Sequence, residues 1–134
     1  MKRILFTMLL LSTLLAACGG KSQVTTTPED VIAAFKAAGL EAENAYAMAK
    51  EDYGLAPAVC DGYRFIIPSL GEDSGGRVYV CSKAGDQKEL VTFYTELGKS
   101  PLFFSWVFEK GNIVVQINGD LDEVTAKKYE AAIP

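Results

Sequence analysis

The sequence predicts an α+β fold: two layers, with an antiparallel sheet of four or five strands and about three helices in the order α-ββ-α-ββ-α. Three observations carry this prediction. Three segments place apolar residues at helical spacing between recognisable ends. Two pairs of segments alternate apolar and polar residues with a period of two, and Cys60 and Cys81 fall at matching places on one of those pairs.

The first helix opens at Thr27 as N-cap, with Pro28 at the first helical position and Glu29 and Asp30 in the first turn. Val31, Ile32, Phe35 and Ala38 form its apolar stripe, and Gly39 ends it with Leu40 placed for a Schellman contact. Residues 41–53 admit two readings: their alanine and charge content allows a helix, while Tyr46 and Met48 suit a short edge strand. In the first hairpin Tyr63, Phe65 and Ile67 alternate with Arg64 and Ile66, and Val78 and Val80 alternate with Arg77 and Tyr79. If Cys60 faces Cys81 across an antiparallel pair, Tyr63 stands opposite Val78 and Phe65 opposite Gly76 on one face. The same register sets Arg64 opposite Arg77 on the other face, a like-charge pair.

The second helix is expected to open at Asp86, with Glu89 in the capping-box position, and to bury Leu90, Val91, Phe93, Tyr94 and Leu97 before Gly98 stops it. The second hairpin alternates Phe104, Trp106 and Phe108 on one strand with Ile113, Val115 and Ile117 on the next, joined by a tight turn at Lys110-Gly111-Asn112. The third helix starts near Asp120, turns Leu121 and Val124 inward, and runs to about Ala132. The helices are expected on one face of the sheet.

The N-terminal residues carry an address. Lys2 and Arg3 form a positive n-region, and Ile4 to Leu15 an almost unbroken apolar run of about a dozen residues, short of the roughly 20 that a spanning helix needs. Leu15-Ala16-Ala17-Cys18 then resembles the lipobox of bacterial lipoproteins. The resemblance covers the first eighteen residues and implies removal of 1–17 and diacylglyceryl attachment to the Cys18 thiol. It further implies an extracytoplasmic domain held on a bacterial membrane. Gly19, where inner-membrane lipoproteins of enterobacteria usually carry Asp, favours the outer membrane in a host with two. The lipidated cysteine and a flexible tether occupy 18–27, and a single domain 28–134. The nine tether residues after Cys18 have an end-to-end distance of roughly 17 Å as a coil and about 30 Å at full stretch.

Without Lys2 and Arg3, eleven basic residues face 17 acidic ones, a formal charge of −6. That disfavours nucleic-acid phosphates and an anionic membrane surface as partners. Histidine is absent, which removes histidine-based acid–base catalysis, Ser-His and Cys-His triads and the usual zinc sets. No cofactor or metal is expected: the acidic groups Glu51-Asp52, Glu72-Asp73 and Asp120 to Glu123 lack calcium-loop spacing. Outside the cytoplasm Cys60 and Cys81 read most simply as a disulfide, since their spacing is far from the C-x-x-C of a redox pair.

Two surfaces stand as candidates. Arg64 and Arg77, beside Tyr79, could clamp a carboxylate, phosphate or sulfate, unless Glu72 and Asp73 fold back to neutralise them. Phe103, Val107 and Val114 make the back of the second hairpin more apolar than a solvated face requires, which suits an interface unless residues 42–57 cover it. The expected function is a non-enzymatic, membrane-anchored binding or interaction domain of the cell envelope, with an envelope protein as partner. The alternative is a binder of small anions at the Arg64/Arg77 face.

Overall fold

The computed structural model describes residues 25–134, so the expected signal segment, Cys18 and most of the expected tether lie outside the described residues. Helix α1 (Pro28–Ala37) begins with a reciprocal box: Asp30 N–H donates to the Thr27 hydroxyl at 3.3 Å, and Thr27 N–H to the Asp30 carboxylate at 2.8 Å. The box satisfies amides that the first turn leaves without helical partners. At the other end Leu40 N–H donates to the Phe35 carbonyl and Gly39 N–H to the Lys36 carbonyl, with Gly39 at φ 75°. That is the Schellman pattern, and its left-handed residue favours glycine. Val31, Ile32 and Phe35 are buried, while Ala38 is exposed.

Residues 41–53 resolve into strand β1 (Glu43–Ala47) and a 3-10 turn over Lys50–Tyr53. With β2 (Asp61–Ile66), β3 (Gly75–Val80), β4 (Ser105–Lys110) and β5 (Ile113–Asn118), it builds a five-stranded antiparallel sheet in the order β1-β2-β3-β5-β4. The β2–β3 register pairs Tyr63 with Val78, Arg64 with Arg77 and Phe65 with Gly76. Cys60 and Cys81 continue that ladder as a disulfide with Cα atoms 4.6 Å apart, the spacing of a non-hydrogen-bonded cross-strand pair. Lys110 pairs with Ile113, so Gly111-Asn112 is the two-residue loop of the second hairpin, with Gly111 at φ 58°.

Three helices pack on this sheet, and it is an α+β fold. On one face α1 and α3 (Glu123–Ala132) cover Phe65, Ile67, Val78, Phe108, Val115 and Ile117. Phe35, Phe65 and Tyr129 meet there at ring separations of 5.1 to 6.1 Å. Helix α3 starts later than expected, because Asp122 is the N-cap, its Oδ1 accepting from Thr125 N–H at 2.9 Å. Leu121 is buried just before it, but Val124 is 70 % exposed, since the buried side of α3 carries Ala126, Tyr129 and Ile133.

Helix α2 (Ala84–Leu97) differs from expectation in two ways. It begins at Ala84, so Asp86 lies in its first turn and complements the dipole instead of capping. It also lies on the opposite face, where Leu90 and Tyr94 pack with Tyr79, Val114 and the disulfide. The tail of the β1 segment, Met48, Tyr53 and Ala56, completes that second core. The reason is visible in the strands: Tyr79, Cys81 and Val114 point away from the α1/α3 core and need a cover of their own. Among the described residues no helix is long and apolar enough to cross a membrane.

Both cores hold neutral phenols. Burial pushes Tyr129 up to about 12, and drives Tyr79 and Tyr94 upward as well. Unfolded tyrosines ionise near pH 10 while these stay protonated, so unfolding releases protons and stability present below about pH 10 is lost as pH rises toward 12. Denaturant midpoints measured from pH 8 to 12 should therefore fall steeply above about 10, and Tyr129→Phe should make the fall shallower.

Candidate functional site

Antiparallel pairing puts residues directly opposite one another on one face. On the α2 face one row crosses all five strands: Tyr46, Arg64, Arg77, Gln116 and Val107. The next row toward the disulfide, Gly62, Tyr79 and Val114, lies under Tyr53, Leu90 and Tyr94. Helix α2 ends at Leu97 and its Gly98 cap, and the chain crosses to β4 through a 3-10 turn at Pro101–Phe103. The arginine row is thereby left in a cleft of about 390 Å³. Arg64, Gly75, Arg77 and Gln116 floor it, Tyr94 and Leu97 form one wall, and Leu102, Phe103 and Phe104 form the lip.

Close backbone approach shapes the floor. A Cβ on Gly75 would collide with the Phe65 carbonyl, and one on Gly76 would lie 2.6 Å from the Phe65 ring. These glycines let β3 sit tightly on β2 and hold the two arginines side by side.

Each guanidinium makes one hydrogen bond to the described protein. Arg64 Nη2 donates to the Asp73 carbonyl at 2.9 Å, and Arg77 Nη1 donates to Gln116 Oε1 at 3.2 Å. Arg77 Nε is buried without a partner. Among the described residues the ion pairs within 4.0 Å are Lys36–Glu43, Lys99–Glu96 and Lys127–Glu130, so neither arginine has a carboxylate at that distance. Asp73 and Asp120 line the cleft, but Asp73 offers Arg64 its backbone carbonyl and not its side chain. The Tyr79 and Tyr94 hydroxyls hydrogen-bond each other at 2.6 Å, and burial keeps both neutral, so they supply no counter-charge to Arg77. Two half-buried cations directly opposite one another repel, and among the described residues no carboxylate within 4.0 Å offsets either of them. Chemically, such a floor suits an incoming anion, because guanidinium forks match carboxylate and phosphate oxygens.

No family model, curated protein or solved structure matches this chain. The site therefore rests on its own geometry.

The structure brings Arg64 and Arg77 together as the register requires, but not Tyr79. That residue is 0 % exposed beneath α2, and Tyr94 lines the cleft in its place. Neither Glu72 nor Asp73 brings its carboxylate within 4.0 Å of the arginines, although Asp73 lines the same cleft. Of the expected interface residues, Val114 is fully buried and Val107 half-buried, both against α2 and not under residues 42–57 alone. Only Phe103 of the three is free, at 58 % exposure, and it belongs to the lip of the cleft. The sequence shows Gln116 only as a polar residue interspersed on the back of the second hairpin and Phe103 only as an interface candidate, and it does not show the Pro101–Phe103 turn that brings them to one cleft. The register names Gln116 as Arg77's neighbour, whereas the turn carries no periodic signal.

Proposed function

We propose that the chain is a membrane-anchored extracytoplasmic lipoprotein whose domain binds an anionic ligand in the Arg64/Arg77 cleft, without chemistry on that ligand. One observation carries the reading: two half-buried arginines stand opposite each other on adjacent strands, in a cleft, with no carboxylate within 4.0 Å among the described residues. The location follows from the lipobox Leu15-Ala16-Ala17-Cys18, and a tether of at most about 30 Å keeps the cleft near the membrane. The Cys60–Cys81 disulfide suits an oxidising compartment. The chain is acidic, −4 as a whole and −6 once residues 1–17 are removed, so the paired arginines stand out against a surface that otherwise repels anions, with Asp73 and Asp120 at the edge of the same cleft.

The test uses the chain with Cys18→Ser, which removes the lipid site and leaves the domain unchanged. Phosphate, sulfate and citrate are titrated at constant ionic strength against chloride, and the unfolding midpoint is followed. At a hundredfold excess over Kd, mass action contributes about 2.7 kcal/mol, a rise of roughly 10 °C. Arg64→Ala/Arg77→Ala should abolish the rise. A wild-type midpoint that no anion moves beyond the chloride control would end the anion-binding reading.

A further inference from the structure

The floor of the cleft is cationic, but its lip is not. Leu102 is 87 % exposed, Phe103 58 % and Phe104 43 %, three consecutive large apolar side chains beside the arginine row. Pro101 opens the 3-10 turn that presents them, fixing its own φ, and the Phe103 N–H donates to the Ser100 carbonyl at 3.0 Å. Phe104 is braced edge-on against Trp106 at 5.0 Å, and the Trp106 indole N–H donates to the Leu121 carbonyl at 2.9 Å. The lip is therefore a shaped, supported surface and not a frayed loop. Scattered exposed apolar residues are ordinary, but a contiguous group at the mouth of a charged cleft has a direction.

Resting on the anion-binding reading above, we infer that the ligand is an amphiphile: a phosphate monoester head on Arg64 and Arg77, with an apolar chain lying across Leu102 and Phe103. Two guanidiniums match the near-double negative charge of a phosphate monoester better than the single charge of a carboxylate. A head seated on the floor directs its substituent out over the lip, where each covered methylene adds affinity. A single amphiphile is the occupant, and not the surface of a bilayer. An acidic domain is repelled by an anionic membrane, and the arginines sit at the floor of the cleft and not on a protruding face.

The experiment compares inorganic phosphate with n-butyl and n-hexyl phosphate, used as monomers, on the full chain carrying Cys18→Ser, by calorimetric titration. Affinity should rise with chain length, by up to about fourfold per methylene. Leu102→Ser/Phe103→Ser changes only exposed side chains, and should remove the chain-length gain while leaving the inorganic phosphate affinity as it was. Equal affinity for all three probes would overturn the amphiphile inference and leave the anion reading standing, as would a gain that survives the lip variant. Failure of all three to bind would overturn the phosphate amphiphile, and the anion reading would then stand or fall on the sulfate and citrate titrations above. Co-sedimentation with phosphatidylcholine vesicles containing phosphatidic acid supplies the last arm. Arginine-dependent sedimentation with them would overturn the choice of a single amphiphile, and its absence would support it.

Discussion

Phe65→Ala should lower stability by about 4 kcal/mol, the middle of the range for emptying a buried phenylalanine site. Phe65 is 0 % exposed, and its ring lies 5.7 Å from Phe35 and 6.1 Å from Tyr129, joining a β2 side chain to both helices on that face. The site cannot collapse around the loss. Phe65 stands opposite Gly76 on β3, and its Cζ occupies the space where a Cβ on Gly76 would sit. The glycine has nothing to offer in place of the ring, and a cavity would remain between the sheet and the α1–α3 pair. For a domain of this size the midpoint should fall by roughly 15 °C, with the folded spectrum retained at low temperature. A fall of only a few degrees would mean that α1 or α3 shifts to fill the space. Phe65→Leu, which keeps most of the volume, should recover more than half of the loss.

The same pairing shows why some of this molecule was legible in its sequence. Register was legible because two independent constraints agreed: the cysteine pair and the alternation Tyr63-Phe65-Ile67 against Val78-Val80 select one ladder, and the ladder places Arg64 against Arg77. The cap at Thr27 was legible because Pro28 and the Asp30 box mark it, whereas at α3 two aspartates compete and Asp122 makes the bond in place of Asp120, and at α2 no side chain caps at all. The face occupied by α2 was not legible, because helical spacing shows that Leu90 and Tyr94 are buried without showing against what. A trace of the answer was present in the apolar character of Tyr79, Val107 and Val114. They lie on the strand side opposite Phe65 and Val115 and call for a second cover. Once α2 is placed there, Tyr79 leaves the candidate site, Tyr94 enters it, and the end of α2 defines where the cleft begins. Phe103 stood out as an interface candidate, but the gathering of Leu102, Phe103 and Phe104 into a lip was not legible, because a three-residue 3-10 turn has no period to read.

Removing the disulfide should have the second largest effect. Cys60→Ala/Cys81→Ala is expected to cost about 3 kcal/mol, since the bond closes a loop of 21 residues in separation and restricts the unfolded chain accordingly. Both sulfurs are buried in the α2-side core beside Tyr79 and Leu90, so alanine leaves little polar group unsatisfied, and the loss should come mainly from the unfolded state. Two measurements separate that origin from simple damage to packing. Treating the wild type with a reductant should bring its denaturant midpoint to that of the double variant, while the variant itself should not respond. The anion affinity of the folded variant should remain near that of the wild type, because Arg64 and Arg77 are held by the β2–β3 ladder and the Gly75 and Gly76 approach, two rows away from the bond. A double variant as stable as the oxidised wild type would show that the loop is already restricted without the bond. Loss of anion affinity at full folding would show that the disulfide, and not the ladder, sets the spacing of the two guanidiniums.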